Sequence, residues 1–298
     1  MSTPAPTADL SARFGLTAGR RRKDKFARGV ILAATILALV PLVLIIYYLL
    51  KKGLGAWSSS FFTTDPTGNT FFKNSDIGGI KSAILGTIEM VALASLISIP
   101  IGVGVALWLV EYGRNSWFAR VVRFFVDVLT GVPSIVFGLF IYIVLIIGTG
   151  SSFAGYKGSL ALSLLMLPVV IRSAEVILNL VPAGLRESAL ALGAPRWKVI
   201  MKIVLPTALP GMVTGVLLAV ARAAGETAPL LFTAGSPKTT TYNLSEFMNS
   251  LPVQIYNDVN SPSTEVVNRA WGAALTLVTM ILILNLIARL ISRRSRLA

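Results

Sequence analysis

Two arginine–glutamate pairs interrupt otherwise apolar stretches of the sequence. Arg222 and Glu226 are four residues apart, and Arg172 and Glu175 are three apart, so each pair can meet on one face of a helix. A charge at the centre of a membrane helix costs about 2.5–3.5 kcal/mol on insertion scales, and it usually faces a protein interior or a watery path. Each pair therefore has two open interpretations, an internal ion pair or part of a polar path.

The composition places these charges in a membrane protein. Of the 298 residues 54% are hydrophobic and only 13% are charged, and the mean hydropathy is +0.75, whereas soluble domains carry about 25% charged residues. The chain contains no cysteine and no histidine, which excludes a disulfide framework, a thiolate metal site and the commonest general base. We therefore expect no metal and no cofactor, and we find no arrangement of nucleophile, acid and base that favours a membrane-embedded enzyme.

The apolar stretches predict an all-α membrane protein with six transmembrane helices, since about 20 apolar residues span a bilayer. The stretches run over about 30–50, 78–112, 121–147, 159–181, 207–232 and 270–291. Pro100 and Gly102 are expected to kink or break the second span, and Pro133 the third. Two acidic residues within the spans, Glu89 and Asp127, are expected to be structural.

Basic residues flank the apolar stretches unevenly. Most of the 27 lysines and arginines lie on one side of the predicted membrane, so we expect the N- and C-termini to be cytoplasmic. Residues 1–27 form a basic tail, and residues 28–298 form the transmembrane domain. Because the basic clusters follow the ends of the spans, they indicate contact with a lipid bilayer and not with nucleic acid.

The stretch 181–206 is too charged to span the membrane, and it predicts a short amphipathic helix, a glycine turn and a second helix at the membrane surface. An ordinary surface helix is one interpretation. The spacing of Glu187-Ser188-Ala189, Gly193 and Leu205-Pro206, however, resembles the EAA signature of ABC-importer permeases, with Ser188 in place of an alanine.

This resemblance implies that the stretch contains a coupling helix that docks on a cytoplasmic ATPase subunit. The residues expected to couple to the ATPase are Glu187, Ser188, Ala189, Gly193, Leu205 and Pro206. The sequence lacks a G-x-x-x-x-G-K-[ST] phosphate-binding loop, so we expect a non-catalytic permease subunit whose energy comes from a separate ATPase.

Three further stretches extend the resemblance to A-type permease subunits of the bacterial Pst phosphate importers. They are FVDVLTGVPSIVFGLF (125–140), GVLLAVARAAGETAPLLFTAG (215–235) and NSLPVQIYNDVNSP (249–262), and with the coupling stretch they cover most of residues 78–291. The resemblance implies a type I ABC importer permease fold in the bacterial plasma membrane. The implied partners are a C-type permease, two ATPase subunits and an extracytoplasmic phosphate-binding protein. A permease for molybdate or sulfate, and a passive channel, remain alternatives.

In a phosphate carrier, the intramembrane arginines gain a specific hypothesis. A guanidinium stays protonated and offers a planar fork that matches the oxygens of phosphate. We expect Arg222, assisted by Arg172, to form a transient anion site near the middle of the membrane. Glu226 and Glu175 would be counter-ions that keep the site from binding too tightly.

A row of small residues precedes Arg222 along the fifth span. Gly211, Gly215, Ala219 and Ala223 recur every four residues, which permits close approach of a neighbouring helix. The neighbour is either another span of this chain or a span of the partner permease.

Overall fold

The computed structural model describes residues 18–67 and 77–294, and this part of the chain is helical, with an isolated antiparallel bridge between Pro66 and Gly78 and no strand. The chain divides into two units at residues 51 and 52, and each is considered by itself. Of the predicted basic tail, residues 1–17 lie outside the described part, while residues 18–27 belong to the first helix.

Twelve α-helices succeed one another along the described residues. In chain order they are α1 Ala18–Ala56, α2 Ser59–Thr63, α3 Lys81–Leu107, α4 Trp117–Gly131, α5 Ser134–Ile141, α6 Gly155–Asn179, α7 Ala183–Ala191, α8 Arg196–Val199, α9 Leu205–Ala224, α10 Ala228–Leu231, α11 Leu251–Val259 and α12 Thr264–Arg294. Three π-helical turns extend α3, α5 and α8, at Trp108–Tyr112, Tyr142–Ile147 and Ile200–Val204. The all-α prediction is confirmed for the part of the chain that the structure describes.

Five stretches of helix in the described residues are long and apolar enough to cross a membrane, and a bent pair would make a sixth. The five are Lys23–Ala56, Lys81–Tyr112, Gly155–Asn179, Arg196–Ala224 and Thr264–Leu290. They correspond to five of the six predicted spans, with ends that differ by a few residues. The exception is the stretch Arg196–Ala224, which begins well before the predicted start at Thr207 and ends well before the predicted end at Phe232. Glu226 therefore lies after the helix and not inside the span, which corrects the prediction.

The remaining predicted span, the third, is a broken one. Helices α4 and α5 meet at an angle of 102°, with Val132 extended and Pro133 also outside the α region between them. A residue before proline is pushed out of the α region, so the sequence dictates the break, as predicted. Beyond it, Gly138 lies against Pro229, where a Cβ atom would approach the Pro229 Cα to 2.6 Å.

At Pro100 the expected break is absent, because α3 continues from Lys81 to Leu107 with Pro100 inside it. A helix in lipid has no water to satisfy freed backbone groups, so neighbouring helices hold it together through a proline. The neighbour of α3 here is α6. It packs closely at Gly102, where a Cβ atom would lie 2.7 Å from Val170. The helix distorts later instead, in the π turn at Trp108–Tyr112.

Helices α3, α6 and α9 form the centre of the larger unit. Their shared core contains buried residues from all three helices, among them Met90, Ala94, Leu162, Met166, Val170, Ala219, Val220 and Ala223. The row of small residues on α9 packs within this chain. A Cβ at Gly211 would lie 2.7 Å from Ile177, and Gly215 sits directly against Ser173.

The second helix of the stretch 181–206 does not lie separately at the membrane surface, so that part of the prediction is wrong. Helix α8, the π turn at Ile200–Val204 and α9 form one continuous span from Arg196 to Ala224. Val199, Ile200 and Val204 are buried, which explains the difference, because this apolar stripe joins the core of the bundle. Only α7 remains as a separate short helix.

We call the end of the bundle that carries residues 113–116 and 180–195 the basic end, and the opposite end, with residues 225–263, the loop end. At the loop end a buried ion pair fastens α11 to the start of α12. Arg269 donates from Nε and Nη2 to the two carboxylate oxygens of Asp258, at 2.8 and 2.7 Å, and from Nη1 to the Ile77 carbonyl oxygen. Gln254 also donates to Asp258, at 2.8 Å.

Candidate substrate path and coupling segment

Contacts between the central helices fix the relative depth of their residues. On antiparallel α6 and α9, Ile177 lies beside Gly211 and Ser173 beside Gly215. Both helices rise by the same distance per residue. Arg222, seven residues after Gly215, is therefore level with Met166, seven residues before Ser173 and halfway along α6. Arg172 lies six residues farther toward the basic end, about 9 Å at 1.5 Å per residue. Arg222 therefore lies level with the middle of the α6 helix, whereas Arg172 lies closer to the basic end.

Arg222 has a loosely held guanidinium. Its Nε donates to Glu226 Oε1 at 3.4 Å, which is long for an ion pair between these groups. This is the hydrogen bond that its side chain makes within the described residues, so both terminal nitrogens are available. The Arg222 side chain is 44% exposed, and that of Glu226 is 17% exposed.

Arg172, in contrast, belongs to a dense cluster of four charged side chains on α4 and α6. It donates from Nη1 to Glu175 Oε2 at 3.0 Å and from Nη2 to Asp127. The other oxygen of Glu175 accepts from Arg123 Nε at 2.6 Å. Two arginines and two carboxylates thus form a neutral group, and Asp127 is structural, as predicted, in the sense that it joins α4 to α6.

Arg172 borders an open face of α6 and α9. A groove of about 560 Å³ is lined by Arg172, Thr214 and their neighbours. Thr214, Leu218 and Arg222 recur at four-residue spacing along α9, and all three are exposed. The structure therefore places Arg172 in this groove and Arg222 on the exposed row of α9 that begins at Thr214.

Glu89, on α3, lies apart from both pairs. Met90 lies beside Gly158 and Gly102 beside Val170, so α3 and α6 run parallel and Glu89 is level with the start of α6. Its Oε2 atom is buried without a hydrogen-bond partner among the described residues. It contacts neither arginine of the path.

The predicted coupling segment comprises α7 and the turn after it. Ala189 packs into the bundle, while Glu187 and Ser188 are exposed and Leu192 is 89% exposed. The turn is made at Gly193, whose φ of +79° lies in the left-handed region that favours glycine. Of the other predicted coupling residues, Leu205 and Pro206 lie at the start of α9. Leu205 packs on the cluster that contains Ala189, and Pro206 lines a pocket with Pro182, the residue before α7.

Arg186 attaches α7 to the bundle. Its guanidinium donates to the Val181 and Leu178 carbonyl oxygens, at 2.6 and 2.9 Å, at the end of α6, where carbonyl groups lack partners within the helix. Its Nε donates to Glu111 Oε1 at 2.9 Å, and Arg196 donates to the Glu111 carbonyl oxygen. Glu111, Arg186, Arg196 and Glu187 all line a pocket of about 480 Å³.

Comparison with known proteins agrees with this architecture. Residues 98–297 match the family of binding-protein-dependent transport system inner membrane components. A phosphate transport system permease protein PstA from Yersinia pestis is 40% identical over 289 residues, covering 96% of each chain. The corresponding protein of Haemophilus influenzae is 42% identical over 272 residues, covering 91% of this chain and 94% of the relative. The chain belongs to the family of binding-protein-dependent transport system inner membrane components.

Solved structures of ABC transporters share the fold. The MetNI methionine ABC transporter in an inward-facing conformation aligns with a TM-score of 0.58 at 21% identity, over 73% of this chain and 94% of the other. A bacterial transporter involved in the import of the polysaccharide alginate aligns with a TM-score of 0.57 at 17% identity, over 92% and 99%. The predicted type I ABC importer permease fold is thereby confirmed.

Two residues of the site are not indicated by any motif in the sequence. In the sequence, Arg123 and Glu111 appear only as charged residues near the ends of predicted spans. Their partners lie 52 and 75 residues away in the chain, so no local spacing indicates them. The one available signal is Glu111 itself, an acidic residue at the end of a long apolar stretch, 7% exposed in the structure.

Proposed function

We propose that the chain is the permease subunit of an ATP-driven phosphate importer in the bacterial plasma membrane. The observation that carries the proposal is the 40–42% identity to PstA phosphate permeases over more than nine tenths of both chains. It would work with a C-type partner permease, two ATPase subunits and an extracytoplasmic phosphate-binding protein. The permease itself would carry no catalytic residue.

The open face of α6 and α9 is the proposed wall of the path. It carries two arginines in a surface that is otherwise apolar or weakly polar, and a second permease subunit would close it. A narrow path of low dielectric strengthens the attraction between a phosphate and a fixed guanidinium. This arrangement supports a path between two permease subunits in preference to one through the centre of this chain.

Within that path we assign the first anion contact to Arg222. Its two terminal nitrogens have no partner within the described residues, and its bond to Glu226 is long, so a phosphate can take the fork without displacing a strong partner. Arg172 is bound by Glu175 and Asp127. It can therefore accept phosphate only when one of those carboxylates moves. The difference of about 9 Å between their levels makes the contacts successive and not simultaneous.

The test is phosphate uptake by the assembled complex in proteoliposomes. We expect Arg222→Lys to lower uptake about tenfold or more, because it keeps the charge but loses the fork, and Arg222→Gln to abolish it. Both variants should assemble with the ATPase. Competition with excess sulfate or molybdate measures the substrate class, and inhibition by either at concentrations similar to phosphate would contradict the assignment.

A double substitution separates binding from pairing. If Arg222 only neutralises Glu226, then Arg222→Gln together with Glu226→Gln removes both charges and should restore uptake. Such a rescue would refute the anion site. The matched single variant is Glu226→Gln, which frees the guanidinium further and should bind phosphate more tightly while releasing it more slowly.

The exposed surface of α7 is the proposed ATPase contact. Glu187 and Ser188 are exposed there, and Leu190 and Leu192 add exposed apolar area at the end of the helix. A short helix held at both ends by membrane spans can transmit a push from a docked subunit as a rigid body. This assignment places the basic end of the bundle in the cytoplasm.

A further inference from the structure

A series of polar contacts, joined at one point by the backbone of the π turn after α3, runs from α7 to Arg172. It begins at Arg186 on α7, which contacts Glu111 at 2.9 Å in the π turn after α3. Two residues earlier in that turn, the Leu109 carbonyl oxygen accepts from Arg123 Nη2 at 3.1 Å. Arg123 continues the series on α4, because its Nε contacts Glu175 at 2.6 Å, and Glu175 contacts Arg172.

The π turn makes the link at Leu109 possible. In an α-helix the amide of Gly113 would donate to the Leu109 carbonyl oxygen. Here it donates to Trp108, one residue earlier, at 2.7 Å, so the Leu109 oxygen accepts the arginine instead. Such turns are rare and occur frequently at functional sites. Any change in the winding of this turn would alter the position of Arg123.

Arg123 contacts three segments of the described chain. Its third nitrogen, Nη1, donates to the carbonyl oxygen of Arg114 at 3.4 Å, in the loop between the π turn and α4. The guanidinium thus uses all three of its nitrogens, and its side chain is 26% exposed, against 7% for Glu175. A lysine would present all its donors from a single nitrogen, whereas the arginine reaches the three acceptors from three separate nitrogens.

Glu175 is shared between Arg123 and Arg172, one oxygen each. A displacement of Arg123 therefore changes the contact of Glu175 with Arg172, since side chains that share one carboxylate do not act independently. We propose that Arg123 is a positioning residue that transmits movement of the coupling helix to Arg172, and so sets when Arg172 can accept the transported anion. The proposal rests on the proposed function, because it takes α7 as the ATPase contact and Arg172 as part of the path.

The test compares ATP hydrolysis and phosphate uptake in the reconstituted complex. In Arg123→Gln we expect the ATPase activity stimulated by the binding protein to stay within about twofold of wild type, while phosphate transported per ATP falls at least tenfold. Arg120→Gln is the matched control, since Arg120 lies one turn away on α4 and is exposed; it should leave the ratio unchanged. A purely structural role would lower both activities together, in proportion to the amount of assembled complex.

Two further variants cover a failure of Arg123→Gln to assemble. Arg123→Lys keeps the charge opposite Glu175 but cannot hold the Leu109 carbonyl as well, so the ratio should fall. Glu111→Gln weakens the contact to Arg186 and should also lower the ratio. A wild-type ratio in either assembled variant, or in assembled Arg123→Gln, would overturn the proposal.

A spectroscopic measurement separates this proposal from the identity of the substrate. The chain has no cysteine, so Val128→Cys provides a single labelling site on α4 in a complex whose other subunits lack cysteine. ATP should change the label spectrum with wild-type Arg123 and leave it unchanged with Arg123→Gln. If the complex shows this behaviour but takes up no phosphate, the proposed function fails and the transmission stands. An equal ATP response in both backgrounds refutes the transmission alone.

Discussion

The buried ion pair between Asp258 and Arg269 at the loop end allows the cost of one substitution to be worked out from the structure. Asp258→Asn keeps the shape of the side chain and removes its charge. Both partners are almost completely buried, with the Arg269 and Asp258 side chains 4% and 5% exposed, and the contact is bidentate. The substitution leaves the Arg269 guanidinium without this counter-ion in a place that water hardly reaches.

Breaking a buried pair by removing one partner costs about 3–5 kcal/mol. For a domain of this size, about 1 kcal/mol corresponds to roughly 2–4 °C of unfolding midpoint, so Asp258→Asn should lower the midpoint by about 6–20 °C. Gln254 and Arg269 Nη2 donate to the same oxygen of Asp258, and the amide oxygen of the introduced asparagine can still accept from both, so the loss is that of the charge and of the contact with Arg269 Nε. Replacing both charges, with Asp258→Asn and Arg269→Gln, should recover part of the loss because neither unpaired charge remains.

The assay is thermal unfolding of the purified protein in detergent, detected by the fluorescence of its five tryptophans. The control is Asp24→Asn, which removes an ion pair with Arg28 on α1. That pair has an N–O distance of 3.1 Å, and the Arg28 and Asp24 side chains are 79% and 57% exposed; such pairs contribute about 0–1 kcal/mol. Equal shifts for Asp258→Asn and Asp24→Asn would refute the reasoning that burial sets the cost.

Two further predictions concern the coupling segment and the topology. Gly193→Leu should reduce co-purification of the ATPase and uptake together, because a leucine at φ +79° costs roughly 1–2 kcal/mol and displaces the turn, whereas Gly193→Asn should be tolerated; normal association with full transport in the leucine variant would contradict the coupling role. A reporter fused after Ala298 should be active only in the cytoplasm, as the distribution of basic residues predicts, and activity only on the outer side would contradict the proposed orientation.

Features that depend on local chemistry are predicted well from the sequence. Apolar length indicates the spans, because lipid permits only closed hydrogen-bonding within a helix. The break at Pro133 is a consequence of the steric restriction on the residue before a proline. The ion pair of Arg172 with Glu175 is a consequence of helical spacing, whereas Glu226 lies beyond the end of α9 and meets Arg222 from the turn that follows. Each of these is decided by residues that are close neighbours in the chain.

The features that local chemistry does not predict depend on contacts between distant residues. Pro100 stays inside a continuous helix because α6 packs on Gly102. The residues around Pro100 in the sequence do not indicate this contact. The depth difference between Arg172 and Arg222 depends on how α6 and α9 are registered against each other. The role of Arg123 is hidden for the same reason, since its carboxylate partner lies on another span.

The neutrality of the four-charge cluster has a consequence for the effect of voltage on transport. Moving one elementary charge across a membrane potential of about 100 mV involves about 2.3 kcal/mol. Arg123, Arg172, Asp127 and Glu175 carry no net charge together, and Arg222 with Glu226 carries none either. Rearranging these groups as units would do almost no electrical work, so such motions would proceed equally in energised and de-energised cells. An imported anion, in contrast, moves against an inside-negative potential. The electrical work that ATP must supply therefore arises from the charge of the anion and not from the charges of the protein.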